Sequence, residues 1–206
     1  MINALAKAVH HTKDYGDFDI HIVQDDKKIE HVVLIRGEIS NGSDILCRIS
    51  SECLPGTALF SAECDCEEQI RVSLRMINQA DKGIFIYLRQ EGRGHGLATK
   101  IRALALKNKG RDTFSAVEEL GLQSDIREYS VVKDILELFQ VQSVVLLSNN
   151  PDKVKAIQNE GIVVNSVNAI PISATKYSAR HLVAKRERGH DIDIVETMSD
   201  TLKGND

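Results

Sequence analysis

The sequence predicts a mixed α/β fold, a mixed sheet with helices packed on it. Two observations carry this expectation. Short apolar runs rich in β-branched residues alternate with longer stretches of helical spacing after residue 60. No internal repeat or low-complexity linker interrupts the alternation, so one domain over residues 1–206 is expected, with a flexible polar tail over about 190–206.

The elements follow in order. Residues 1–30 are polar and weakly patterned, and Asp25-Asp26-Lys27-Lys28 reads as a turn. The run from His31 to Glu38 reads as a strand and Ser40-Asn41-Gly42-Ser43 as a turn. Asp44 to Ser50 alternates partly between apolar and polar, a second strand that would bury Cys47 as a small apolar side chain. Between Glu67 and Ala80, Ile70, Leu74 and Ile77 recur at helical spacing. Gly83 to Arg89 is a short apolar run, a buried strand that ends in the glycine-rich loop Gln90 to Gly96. A helix follows from Leu97 to Lys107, closed by Gly110. Ser115 and Glu118 have the spacing of a capping box for a short helix. Val131 to Phe139 is amphipathic, and Ser143 to Ser148 is another strand. Asn149-Asn150-Pro151 starts a helix with proline in its first turn, and Ile162 to Val167 is the last strand. The basic stretch Arg180 to Arg188 is helical in spacing and reads as a solvated face.

Composition narrows the function. Hydrophobic residues make up 42% and charged residues 27%, ordinary for a soluble globular chain. No run approaches the ~20 apolar residues that span a bilayer, and the N-terminus lacks the apolar core of a secretory signal. No membrane association and a cytoplasmic location are expected, where clustered thiols serve metals or catalysis more often than disulfides. A net charge of −4 argues against a broad nucleic-acid surface but leaves room for a local basic pocket.

Cys53, Cys64 and Cys66 are the most informative residues. Three soft thiolates suit one zinc ion and leave its fourth position open, the arrangement of a metal that does chemistry. A closed zinc knuckle completed by a distant histidine or by Cys47 is the alternative. Glu52 and Glu63, each beside a cysteine, have the spacing of a general acid–base carboxylate or of solvated surface groups.

The loop Arg89 to Gly96 follows a strand and opens a helix. Its glycines allow close backbone approach, the helix N-terminus attracts anions, and Arg93 adds a fork suited to phosphate. A tight strand-to-helix turn is the plainer reading. Asp125 and Arg127 share a face if their segment is extended. Ser148 and Lys153 flank another strand-to-helix junction.

Taken together, Arg48-Ile49-Ser50-Ser51-Glu52-Cys53, Cys64-Asp65-Cys66, Arg89-Gln90-Glu91-Gly92-Arg93, Asp112-Thr113, Asp125-x-Arg127 and Ser148-Asn149-Asn150-Pro151-x-Lys153 make the chain resemble GTP cyclohydrolase II from about residue 15 to about 170. The resemblance implies a hydrolase that opens the imidazole ring of GTP, releases formate and pyrophosphate, and feeds riboflavin biosynthesis. It implies one zinc per chain on Cys53, Cys64 and Cys66, magnesium with the nucleotide phosphates, and a homodimer. It also implies nucleotide contacts at Arg48, Ile49, Ser50, Ser51, Glu52, Gln69, Glu91, Gly92, Arg93, Thr113, Ser148 and Lys153. Asp125 would be the proton acceptor, and Arg127 the group that acts on the α-phosphate.

The chain departs from the pattern at four places. Leu104 stands where many members have a tyrosine, linked to completing the reaction after ring opening. Ser50 replaces a common histidine, Glu67 replaces a glycine, and His95 interrupts the glycine loop. A paralogue of specialised metabolism acting on another guanine nucleotide, or an inactive nucleotide-binding regulator, are the alternative readings.

Overall fold

The computed structural model describes residues 2–109, 113–173, 182–183, 186–187, 189–191 and 194–195. Seven strands form one sheet: β1 (Asn3–His11), β2 (Asp17–Gln24), β3 (Glu30–Arg36), β4 (Ile45–Ser51), β5 (Gly83–Leu88), β6 (Val144–Leu147) and β7 (Val164–Asn168). Their order is β1-β2-β3-β5-β4-β6-β7. The pairs from β1 through β3 to β5 are antiparallel, and β5, β4, β6 and β7 run parallel. The sheet is mixed, as expected. Around it lie α1 (Leu54–Thr57), α2 (Cys66–Gln79), a 3-10 turn (Glu91–Gly94), α3 (Leu97–Lys107), α4 (Thr113–Glu119), α5 (Ser130–Leu138) and α6 (Pro151–Asn159). A short parallel pair, β8 (Ile172–Ser173) and β9 (Ile194–Val195), stands apart.

The period of two along the strands sorts the core into two layers. Val33, Ile35, Cys47, Ile49, Ile86 and Leu146 face Val132, Ile135 and Leu136 of α5 and Ile157 of α6. Leu34, Phe85 and Leu147 face the other way, with Phe18, onto Leu74 and Ile77 of α2. Each fully buried isoleucine contributes about 1.5–3 kcal/mol through burial. The same alternation turns Arg48, between Cys47 and Ile49, toward α2, where its guanidinium meets Gln69. A charged residue in the middle of a central strand contributes little to such a core, so its place calls for a functional reason.

The chain leaves β4 through α2 to reach β5 on one side, then crosses to β6 on the other side of β4. Diverging connections of this kind open a crevice at the carboxyl ends of parallel strands. Here the register is level: Ser51 pairs with Leu88, and Arg48 pairs with Leu147. Three segments therefore end together, at Cys53, at Gln90 and at Ser148.

Three findings differ from the sequence expectations. The first thirty residues form the β1–β2 hairpin rather than an unpatterned segment; all nine residues of β1 are exposed, so it carries no core signature. The turn after β2 is where it was expected, with Lys28 N donating to Asp25 O. Residues 54–57 form the short α1 behind Pro55. Ser115 lies inside α4 rather than at its cap, because Ala116 and Val117 pack on Ala103 of α3 and the helix begins at Thr113. The expectations for Gly110, Asp112, most of the stretch 180–188 and nearly all of the tail lie outside the described residues. Among the described residues no helix is long and apolar enough to cross a membrane.

Candidate active site

A cavity of about 500 Å³ opens at the shared ends of β4, β5 and β6. Cys53 leaves β4, whose pairing is prolonged by Glu52 N donating to Leu88 O at 2.8 Å. Pro55 in the first turn of α1 then folds the chain back, and Cys66 opens α2. The ligand atoms of Cys53, Cys64 and Cys66 all lie within 4.8 Å of one another, and all three thiols are free. Gly56 backs them: a Cβ there would meet Cys64 Sγ at 2.5 Å and Cys53 Sγ at 2.9 Å. Space kept clear beside three converging soft donors fits a zinc-type ion.

Cys47 takes no part. It is fully buried in the core, where burial pushes its thiol up to about 12. Among the described residues no histidine or fourth cysteine joins the trio. Within the trio, hydrogen bonds with Cys64 and Cys66 hold the Cys53 thiol well below its usual range, and the contact with Lys100 adds to this. The contact with Cys53 pushes Cys64 up, and contacts with Cys53 and Cys64 push Cys66 up.

Among the cations that line the rest of the cavity are Arg48, Arg93, Arg127 and Lys153. Arg48 is 4% exposed, and burial brings its pKa down to about 10. It donates to Leu147 O at 2.9 Å and to Gln69 Oε1, while its Nε has no partner among the described residues. Gln69 is fixed in turn by Asp65, to which it donates at 2.6 Å. Lys153 comes from the first turn of α6, which Asn150 caps by accepting from Asp152 N and Lys153 N. Its ammonium donates to Ile49 O at 3.0 Å.

Asp125 and Arg127 do share a side of an extended segment. Arg127 Nε donates to Asp125 Oδ1 at 2.8 Å, and a second bond joins Nη2 to Oδ2. Burial would raise the Asp125 pKa, but the Arg127 contact overcomes it and keeps the carboxyl ionised below the ordinary value. Burial would lower Arg127, and the bond with Asp125 reverses that, so the guanidinium keeps its proton. Glu52 and Glu63 both line the cavity and both are paired, with Arg89 at 3.1 Å and Lys107 at 3.3 Å.

Ser50, Ser51, Gly92 and Ser148 also line the cavity, as do Arg48, Glu52, Gln69, Arg93, Asp125, Arg127, Lys153 and the three cysteines. Ile49 does not; its side chain is in the core and only its carbonyl faces Lys153. Glu91 is buried behind the wall, and the side chain of Thr113 lies outside the described residues. Sequence reasoning missed Lys100, Lys107 and Tyr129, which are part of the lining. Lys100 and Lys107 are two turns apart on one face of α3, and Tyr129 continues the alternation of Asp125 and Arg127; both signals were available. It also missed His190, which lines the cavity while Asp191 N donates to Asn149 O at 2.9 Å, so the start of the expected tail meets the site.

Three converging thiols that could hold a metal ion, beside a cluster of cations that suits a phosphorylated ligand, line one pocket on a mixed α/β sheet. Residues 4–169 match the GTP cyclohydrolase II family profile. The chain is 41% identical to GTP cyclohydrolase-2 of Picrophilus torridus over 177 residues, covering 85% of this chain and 92% of that protein. It is 43% identical to GTP cyclohydrolase-2 of Colwellia psychrerythraea over 176 residues, 85% and 87% of the two chains. It is also 41% identical to that of Neisseria meningitidis over 180 residues, 86% and 90%. The chain belongs to the GTP cyclohydrolase II family and is a hydrolase of that class.

Proposed function

We propose that this chain hydrolyses the imidazole ring of GTP and releases pyrophosphate, leaving a diaminopyrimidine ribosyl phosphate for riboflavin biosynthesis. The proposal includes one zinc on Cys53, Cys64 and Cys66, magnesium accompanying the phosphates, and a cytoplasmic homodimer. One observation carries it: three free thiols converge around the bare α-carbon of Gly56 on the wall of a cavity lined by six cationic side chains. Cys53, Cys64 and Cys66 would hold the zinc, which would lower the pKa of a water and so provide a nucleophile for C8 of the guanine.

The protein's own groups do the rest. Arg48 and Lys153 are buried and anchored by backbone carbonyls, so they present charge to a bound nucleotide without reorganising. Arg93 projects from the glycine loop as a phosphate fork. Asp125 grips Arg127 through two bonds and fixes its plane. A guanidinium kept protonated has no lone pair for attack, so Arg127 stabilises charge on the α-phosphate while water displaces pyrophosphate.

A second reading retains C8 in the product as a formylamino group. It is favoured by Leu104, which lines the cavity and brings no proton to it. Incubation of the purified protein with GTP and magnesium, followed by mass spectrometry and formate assay, separates the readings. The first expects one formate per GTP consumed. The second expects C8 in the product, with Leu104→Tyr raising the formate yield. Stoichiometric formate rejects the second, and unconsumed GTP in zinc-replete protein rejects both.

A further inference from the structure

Glu91 opens the 3-10 turn after β5 and is only 8% exposed. Its carboxylate is fully engaged. Oε2 accepts from Leu54 N at 2.6 Å, the first amide after Cys53. Oε1 accepts from Gly92 N at 2.7 Å and from Lys100 Nζ at 2.7 Å. Lys100, on α3, donates in addition to Cys53 Sγ at 2.9 Å. The glycine loop and α3 thus meet the cysteine turn twice, once at the sulfur and once at the next amide.

An ammonium tethered by a buried carboxylate has few places to go. An N–H···S bond from it draws electron density off the sulfur, and a thiolate that gives less to a metal leaves that metal more electrophilic. Three thiolates around a divalent ion also carry a net negative charge, which a neighbouring cation offsets. Lys107, two turns along the same face, offers a built-in comparison. Its ammonium pairs at 3.3 Å with the carboxylate of Glu63, beside Cys64 in the chain.

We propose that Lys100, held by Glu91, is a positioning residue for the metal. It orients the Cys53 sulfur and weakens its donation through a charged hydrogen bond, which raises the electrophilicity of the bound ion. The inference rests on the metal-hydrolase reading and assigns this pair a task that contact with the nucleotide does not require.

Cobalt(II) substituted into the zinc site tests it, because the sulfur-to-cobalt charge-transfer band reads the donor strength of the thiolates. In Lys100→Met the band is expected at lower energy than in the unaltered protein. Lys100→Arg, which keeps both charge and donor, is expected to restore it, and Lys107→Met to leave it in place. The zinc form of Lys100→Met is expected to lose roughly 10–100-fold in kcat with little change in KM for GTP. If Lys100→Met does not fold, Glu91→Gln loosens the tether and is expected to move the band in the same direction. An unmoved band in a folded, cobalt-loaded Lys100→Met or Glu91→Gln protein overturns the assignment, as does an equal shift in Lys107→Met. Failure of the unaltered protein to take up cobalt overturns the metal-hydrolase reading as well, so the two failures are distinguishable.

Discussion

A hydrogen atom in place of a methyl group at Gly56 leaves the three thiols room for an ion. The Cβ of an alanine there would lie 2.5 Å from Cys64 Sγ, 2.9 Å from Cys53 Sγ and 3.2 Å from Cys66 Cβ, distances at which something must shift. Gly56 sits in helical backbone, where alanine is intrinsically favoured by about 1 kcal/mol. Gly56→Ala is therefore expected to fold and yet to lose tenfold or more in zinc affinity, an order of magnitude typical of disturbed metal surroundings. Elemental analysis after chelator competition checks this, with Cys64→Ser as the metal-free reference; a full zinc complement in Gly56→Ala refutes the crowding argument. The cysteines could be read from the sequence because thiolate chemistry depends on residue type and number. Gly56 could not, since its importance comes from the close approach of Cys64, which only the folded turn produces. Arg48 was read through its motif, but its burial beneath Gln69 is a product of strand alternation and sheet packing together.

The segment that carries Asp125 and Arg127 is fastened to the glycine loop. Ile126 N donates to Arg93 O at 3.1 Å, and Arg93 Nη1 donates to Ser124 O at 3.2 Å. The ring of His95 donates through Nε2 to Gln123 O at 2.8 Å, so the residue that departs from the family pattern serves as a further clasp. Gly94 lies at φ +92°, and a Cβ on it would come within 2.8 Å of Ile126 Cγ1. Gly94→Ala combines a conformation that L side chains avoid with a push on the segment carrying Asp125 and Arg127. A displacement on the order of 1 Å in such a group costs roughly 100-fold in rate. The variant is expected to lose about that much kcat while keeping its zinc, measured by steady-state pyrophosphate release alongside metal analysis; unchanged turnover would show that the clasp does not position the pair. At this scale legibility followed amphipathicity. The helices α2 and α5 lie close to where the spacing of apolar residues put them, because each buries one stripe, and α6 begins at the proline that announced it. In β2 the alternation of Phe18, Ile20 and Ile22 was present but went unused, since the strand is paired with an exposed β1 that shows no such signal.

Across the whole molecule, an antiparallel half and a parallel half meet at β5, which inserts between β3 and β4. That insertion could not be read from the chain, because local patterning names strands without naming their neighbours. His31, next to the start of β3, sits at this join with 4% exposure. Its Nδ1 accepts from Arg89 N at 3.1 Å, just past β5, and its Nε2 faces Asp25 Oδ2 at 3.4 Å. Burial lowers the His31 pKa from 6.5; the Asp25 hydrogen bond and charge oppose the shift, and the Arg89 charge adds to it. Protonation would set an N–H against the Arg89 N–H and break the link to the strand that leads into the glycine loop. The sign follows from linkage: a histidine whose folded pKa is depressed binds its proton first in the unfolded chain. Its contribution is complete above 6.5 and declines as pH falls from 6.5 toward the folded value. His21, lowered chiefly by burial, acts in the same direction, whereas Asp125 adds its loss only in acid below 3.8. Chemical unfolding of the zinc-loaded protein is therefore expected to show a lower midpoint at about pH 5.5 than at about pH 7. A His31→Gln variant, which keeps polar atoms but does not titrate, is expected to have a shallower dependence over that range. An equal slope in the variant would place the proton uptake elsewhere and remove His31 from the coupling between the two halves of the sheet.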